Sequence, residues 1–327
     1  MLLEPRKITP AVCLGELLVD MVSESSDASL AESPCFLKAP GGAPANVAVG
    51  LTRLGVDTAF VGQVGDDPFG HWLRDILDAE GVDTSHLLFS QIARTTIAFV
   101  ATRSDGKKDI CFYRNPGADA CLSTADVRPS LFDGSRLFHC GSVSLSLPPC
   151  RDAQLRAAHT AVERGLLVSF DPNWRPSLWD DVAEAHHLIW QMIPLSNVVK
   201  IADEEWEFIT GTSDLEEGAA KIRSAGPRLV VVTRGSEGAY YNYDGEQGEV
   251  AGLKVNAIDT LGAGDSFVAG LLSEILREQT LGDLFEKGKV GEAVRFANAC
   301  GAFSTQIRGA IPSLPTRADA EKLLSSS

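Results

Sequence analysis

The segment Asp259-Thr260-Leu261-Gly262-Ala263-Gly264-Asp265-Ser266-Phe267 sets a glycine-rich stretch beside a carboxylate. Beyond it Phe267, Val268, Leu271, Leu272, Ile275 and Leu276 recur at helical spacing, which predicts that Gly262 to Gly264 form the loop and first turn of a buried helix. The first N–H groups of a helix have no intrahelical partner, and glycines let an oxyanion come close to them. A backbone cradle for negative charge next to a proton acceptor is the equipment phosphoryl transfer requires. Asp265 is the candidate base. It would sit at the positive end of the helix dipole, which favours the ionised form and argues against a strongly raised pKa. An acidic first turn is also a common way to begin a helix.

A second constellation is Pro40-Gly41-Gly42-Ala43-Pro44-Ala45-Asn46, followed by Val47, Leu51 and Leu54 at helical spacing. Pro44 suits a first helical turn, and the glycines permit close approach of backbone to a small ligand. Asn46 offers both a donor and an acceptor, as sugar hydroxyls do, and would equally serve as a helix cap. Gly62 to Gly70 reads as a strand end, a capped turn and a helix carrying Trp72, Leu73, Ile76 and Leu77.

These groups need a scaffold, and the 327 residues suffice for one large α/β domain. Ala59 to Val64, Leu166 to Phe170, Asn197 to Ile201 and Leu229 to Thr233 read as strands, each followed by a turn signal and then a helix. The alternation predicts a mostly parallel central sheet with helices on both faces and ligands at the carboxyl ends of its strands. Two segments interrupt it, roughly 16–38 and 95–114. In the second, two β-rich runs flank Ser104-Asp105-Gly106, a hairpin signature. They could build a small β lid that excludes water, or an ordinary edge hairpin. No linker or repeat divides the chain, so residues 1–327 are taken as a single domain with lid segments.

Composition narrows the class. Hydrophobic residues at 44% and charged residues at 22% are ordinary for a globular enzyme. A formal charge of −15 argues against nucleic-acid binding. The seven cysteines show no CxxC or Cys/His spacing that would suggest a disulfide framework or zinc site. No apolar run has membrane-spanning length, and the N-terminus lacks signal or transit character. A cytoplasmic location is the default, with a plastid form stripped of its leader left open. The six histidines lack partners at metal or triad spacing.

Gly41 to Gly70 (GGAPANVAVGLTRLGVDTAFVGQVGDDPFG) and Asp259 to Leu272 (DTLGAGDSFVAGLL), in this order and separation, resemble the ribokinase-like (PfkB-type) carbohydrate kinases over nearly the whole chain. Phe112-Tyr113-Arg114-Asn115-Pro116 and Asp171-Pro172-Asn173-Trp174-Arg175 look most like its fructokinase members. The resemblance implies transfer of the γ-phosphoryl group of ATP to D-fructose, giving fructose 6-phosphate. It casts Asp265 as base, Gly262, Ala263 and Gly264 as the anion hole, and Arg175 as a phosphate clamp. Asp20, Gly41, Gly42, Asn46, Phe99, Phe112, Arg114 and Asp171 fall to the sugar and transferring phosphate. Lys200, Thr233, Gly235, Gly238 and Asn298 fall to the nucleotide. Mg²⁺ is implied as a cofactor, with Glu205 in its outer shell, although Ala202 replaces the Asn of the NxxE pattern some relatives carry. A K⁺ site is implied near Asp259, Leu261, Ser304, Ile307, Gly309 and Ser313. Relatives acting on 2-keto-3-deoxygluconate, ribose or a nucleoside, and a catalytically silent regulatory member, remain alternatives, and Arg114 keeps an acidic sugar in play. A homodimer through the lid strands is a further expectation.

Overall fold

The computed structural model describes residues 10–25, 28–102, 108–244, 246–286 and 288–326. In chain order the strands are β1 (Ala11–Leu14), β2 (Leu18–Ser23), β3 (Phe36–Gly41), β4 (Thr58–Gly65), β5 (Asp83–Ser90), β6 (Ile97–Thr102) and β7 (Lys108–Tyr113). Then come β8 (Leu137–Cys140), β9 (Leu167–Phe170), β10 (Val198–Ala202), β11 (Leu229–Thr233), β12 (Gly238–Tyr243) and β13 (Glu246–Ala251). The helices are α1 (Ala43–Arg53), α2 (Pro68–Ala79), α3 (Cys150–Glu163), α4 (Val182–Met192), α5 (Asp203–Thr210) and α6 (Leu215–Ser224). They continue with α7 (Ala263–Arg277), α8 (Leu281–Glu286), α9 (Val290–Ser304), α10 (Ala310–Ser313) and α11 (Arg317–Ser325).

Among the described residues a nine-stranded sheet runs β13-β12-β11-β10-β9-β8-β1-β4-β5. From β11 to β5 every pairing is parallel. Its strands are short runs of β-branched and aromatic residues buried on both faces, as Leu-Val-Val-Val-Thr of β11 illustrates. Alternate residues feed two cores. Ala11 and Cys13 join the one closed by α1, α7 and α9, while Val12 and Leu14 join the one closed by α3, α4, α5 and α6. The expected alternation fails after Thr233, where a short turn leads into β12 and β13, both antiparallel, in place of a helix. The residues of that turn, Gly235-Ser236-Glu237-Gly238, include glycines at φ 52° and 103°, so the chain reverses on itself instead of starting a crossover.

The two interrupting segments form a separate four-stranded sheet in the order β3-β2-β6-β7. The turn expected at Asp105-Gly106 lies outside the described residues. Register assigns the faces. Asp20 is paired with Ala98, and Ala98 with Phe112, so these three share one face, whereas Met21, Phe99 and Cys111 share the other.

The helices that carry the glycine motifs pack against each other and against α9 at close range. A Cβ at Gly50 of α1 would lie 2.6 Å from Ala269 Cβ of α7, and one at Gly270 would lie 2.9 Å from both Ala297 Cα and Cys300 Sγ of α9. These glycines set the depth at which α7 seats. Gly270→Val should therefore lower the denaturant midpoint, by about 1–3 kcal/mol of stability. An unchanged midpoint would show that the α7–α9 approach is not a constraint.

Candidate active site

Where the parallel strands end, polar residues line up across the sheet. Leu14 is opposite Cys140, Cys140 is opposite Phe170, and Phe170 is opposite Val199, so Glu16, Ser142, Asp171 and Lys200 leave the sheet along one edge. Carboxyl ends of parallel strands are where such sheets bind ligands. Lys200 is only 5% exposed, and its Nζ donates to Asp171 Oδ2 and Oδ1 at 3.1 and 3.4 Å. Burial opposes the charge of this ammonium, but Asp171 and then Glu205 and Asp265 hold its pKa above the ordinary lysine range.

Above this edge, α7 starts at Gly262, which adopts φ 77° and has Ala310 where a Cβ would be. The Ala263 N–H is taken by Thr260 O at 3.3 Å, while Gly264 and Asp265 N–H donate to no acceptor among the described residues. Of the N–H groups at the start of α7, those of Gly264 and Asp265 are the open ones. Lys200 lies behind them: a Cβ at Gly264 would lie 3.3 Å from Lys200 Nζ.

Asp265 is 8% exposed and accepts a 2.7 Å hydrogen bond from Asn46 Nδ2 in the first turn of α1. Asn46 Oδ1 is buried without a partner. The helix dipole argues against a strong rise in this carboxyl's pKa, yet the direction of its shift is upward. Burial raises it, Asp171 adds repulsion, and Asn46, Lys200 and Arg175 only partly offset the rise. Desolvation within a packed helix pair outweighs a dipole whose effect is confined to one turn.

Beside α7, a cavity of about 430 Å³ is lined by Thr233, Gly235, Gly238, Ala263, Gly264, Phe267 and Asn298, among others. Four of the five residues assigned to a nucleotide therefore face one space that ends at the first turn of α7. Lys200, the fifth, sits instead behind the first turn of α7. Asn298 also donates to Val250 O and Ala251 O, tethering β13 to α9. The sequence reading missed Gly301, Ala302 and Thr305, which with Asn298 form one face of α9 and its end. Small residues at that spacing were the available signal. Lys254 and Val255, on the chain between β13 and α7, gave none.

The sugar candidates separate. Asp20 lies against Gly41, where a Cβ would meet its Oδ2 at 2.1 Å, and Gly42 leads into α1, with φ 112° and Glu16 O in the Cβ position. Phe112 shares the Asp20 face of the small sheet. Phe99 does not: on the opposite face its ring meets Phe36 at 5.1 Å and Tyr113 at 5.2 Å, because strand alternation sends it away from Asp20. Arg114 is buried, with Nε donating to Asp119 Oδ2 at 2.7 Å, so its charge is already matched. Arg175 donates only to backbone oxygens of its own loop, Asn173 O at 3.3 Å and Trp174 O at 3.2 Å, yet its charge reaches Asp265.

For Mg²⁺, Glu205 accepts Ala202 N–H at 3.1 Å and Trp174 N–H at 2.6 Å, one on each oxygen. One acceptor position remains on each, which fits contact with waters of a nucleotide-borne ion. No cluster of three or more His, Cys, Asp or Glu residues able to hold a metal directly exists among the described residues. For K⁺, Asp259 accepts Leu261 N–H and Gly309 N–H, both at 2.9 Å, binding the loop before α7 to the chain before α10. Ser304 and Ser313 are buried, their hydroxyls donating to Gly301 O and Ala310 O. Ile307 is 41% exposed at the rim. Carbonyls and spare lone pairs there suit a large cation bound by oxygen. His139, 1% exposed, contacts Ser169 Oγ at 3.1 Å, and burial pushes its pKa down to about 4, so it is a neutral core residue.

A doubly covered parallel sheet, a buried carboxylate at an open helix N-terminus and an adjoining cavity define a sugar kinase of the phosphotransferase class. The chain belongs to the pfkB family carbohydrate kinases, whose model matches residues 9–317. It is 45% identical to fructokinase-2 of Solanum lycopersicum over 314 residues, 96% of this chain and 95% of the relative. Fructokinase from Vibrio cholerae O395, with fructose, ADP and calcium ion bound, superposes with a TM-score of 0.87 at 36% identity over 97% of this chain and 99% of that one. Fructokinase from Xylella fastidiosa with bound ATP gives 0.88 at 30% identity, covering 97% and 99%.

Since Asn46 is the group that lowers the Asp265 pKa most, Asn46→Ala should move it further up. A ¹³C carboxyl NMR titration of the free protein reads this directly. A wild-type Asp265 titrating in the ordinary aspartate range, or a downward shift in the variant, would contradict the electrostatic account.

Proposed function

We propose that this chain transfers the γ-phosphoryl group of ATP to the 6-hydroxyl of D-fructose, releasing ADP and fructose 6-phosphate. The supporting observation is Asp265, buried between α1 and α7 and bonded to Asn46, at the point where the cavity beside α7 meets the carboxyl edge of the sheet. Fructose lies over Asp20, Gly41, Gly42 and Asn46, and ATP occupies the cavity with its last phosphate at α7.

The sugar oxygen forms a bond to the γ-phosphorus as the bond to the bridging oxygen of ADP breaks, and its proton passes to the Asp265 carboxylate. A raised pKa makes Asp265 a better acceptor than an ordinary aspartate, provided it is ionised before the sugar binds. Gly264 and Asp265 N–H groups, Lys200 and Arg175 neutralise charge on the phosphoryl oxygens. Lys200 has a third donor beyond its two contacts with Asp171 to offer a phosphate. Mg²⁺, when bound with the nucleotide, would supply further charge neutralisation, and Glu205 and Asp171 are the residues that would orient its waters. Asp259 ties the loop leading to α7 to the chain before α10, and K⁺ bound there would hold that loop further.

Fructose is favoured over an acidic sugar because Asp119 neutralises Arg114, leaving no net cation for a carboxylate. A homodimer through this lid belongs to the same proposal, with Tyr113 of its edge strand β7 exposed at 66%. No described helix is long and apolar enough to cross a membrane.

Asp265→Asn should lower kcat by about 10²–10⁴-fold while fructose KM stays within about threefold, because the cradle survives without its proton acceptor. Unchanged kcat would remove Asp265 from the role of base. In an ATP-dependent panel of fructose, ribose, 2-keto-3-deoxygluconate and adenosine, fructose should give the highest kcat/KM. A different preferred sugar would overturn the substrate assignment, and no turnover on any would favour a regulatory member.

A further inference from the structure

Three buried polar atoms near the carboxyl edge of the sheet have no partner among the described residues: Glu16 Oε2, Arg114 Nη2 and Ser142 Oγ. Their residues are 4%, 6% and 0% exposed. Buried polar atoms are nearly always hydrogen-bonded, so a group of them left open marks a place for water or for a polar ligand.

The fold brings these atoms together. Glu16 and Ser142 each lie two residues beyond an in-register pair, Leu14 of β1 and Cys140 of β8, and so leave the sheet side by side. Arg114 reaches them from the end of β7. Its Nε is held by Asp119 and its Nη1 donates at 2.7 Å to Ser146 Oγ, in the turn that follows Ser142. Glu16 is fixed as well, because its Oε1 accepts the Ala43 N–H at 2.9 Å. Ala43 opens the same helical turn that carries Asn46, the partner of Asp265. Glu16 and Arg114 feel each other's charge, yet no direct ion pair joins them among the described residues, so one acceptor and one donor stay open.

We propose that Glu16, Arg114 and Ser142 form a second grip on the sugar, holding hydroxyl groups at the end remote from the hydroxyl that meets Asp265. The proposal rests on the fructose kinase reading and extends it. A hydroxyl can accept from Arg114 and donate to Glu16 at once, and Ser142 can act in either sense. A carboxylate bound to Arg114 would meet the charges of Glu16 and Asp119, which disfavours acidic sugars. Burial pushes the Glu16 pKa up to about 7, so near neutrality this carboxyl can also donate. Fructofuranose carries a hydroxymethyl group at its anomeric carbon that ribofuranose lacks. The grip therefore selects ketohexose over aldopentose, since an unfilled site leaves its polar atoms unpaired.

The test is steady-state kinetics of wild type, Arg114→Lys and Ser142→Ala on D-fructose and D-ribose, with Tm and ATP binding measured for each. Lysine keeps a cation beside Asp119 and removes Nη2. Fructose KM should rise about tenfold in the lysine variant and about threefold in the alanine variant, with kcat and ATP KM nearly unchanged. The fructose-to-ribose ratio of kcat/KM should fall in both. Should Arg114→Lys fail to fold, Ser142→Ala, which disturbs no charge, decides alone. An active wild type whose folded variants keep fructose KM and the sugar ratio would overturn the second grip only. A wild type that neither binds nor phosphorylates fructose would overturn this inference together with the function it rests on.

Discussion

One hydrogen bond, from Asn46 Nδ2 to Asp265 Oδ2, joins the two glycine motifs across 219 residues of sequence. It closes the contact between α1 and α7, and the rest of the site is arranged around it. Asn46 can point at Asp265 only because Gly41 and Gly42 let the chain enter α1 tightly against Asp20 and Glu16. Asp265 lies at that depth because α7 packs closely on α1 and α9 through Gly50 and Gly270. The burial that results disfavours the ionised carboxyl, and the asparagine donor limits how far. The raised pKa of Asp265 thus follows from packing, and Asn46 is the group that opposes it most.

Charge is managed on the same small scale. The protein is acidic overall, yet Asp171, Glu205 and Asp265 all act on one buried ammonium, Lys200, which lies directly behind the open N–H groups of α7. A cation held by several carboxylates can be shared with an arriving phosphate without being left alone in the protein interior. Glu205 belongs to the scaffold of this arrangement. Its two oxygens tie the start of α5 to the loop after β9, where Trp174 stacks on Phe208 at 3.8 Å. With Ala202 in place of an asparagine, that tie is still made, because Glu205 bonds the Ala202 backbone and needs no side chain there.

The parallel sheet and the two glycine motifs were legible in the sequence, because each is carried by a local pattern: β-rich runs, and glycines before an apolar helix; Thr233, Gly235, Gly238 and Asn298 were singled out by family resemblance, and they line one cavity. What the sequence did not disclose is non-local. Phe99 and Phe112 look alike along the chain, and only pairing register puts them on opposite faces. Arg114 looked like a free cation until Asp119 was placed against it. The upward direction of the Asp265 pKa was not legible, because a dipole can be read from helix position, whereas desolvation depends on what α1 brings from two hundred residues away. Glu16 and Ser142 carry no motif, and become visible only as buried atoms lacking partners.

The central claim is that Asp265 receives the proton of the attacking sugar hydroxyl. A crystal structure of the protein with fructose and a non-hydrolysable ATP analogue measures this geometry directly. The account places the 6-hydroxyl oxygen within hydrogen-bond reach of the Asp265 carboxylate, about 2.6–3.2 Å, with the terminal phosphate at the Gly264 and Asp265 N–H groups. A sugar bound with its 6-hydroxyl turned away from Asp265, or a phosphate chain that never reaches α7, would contradict it.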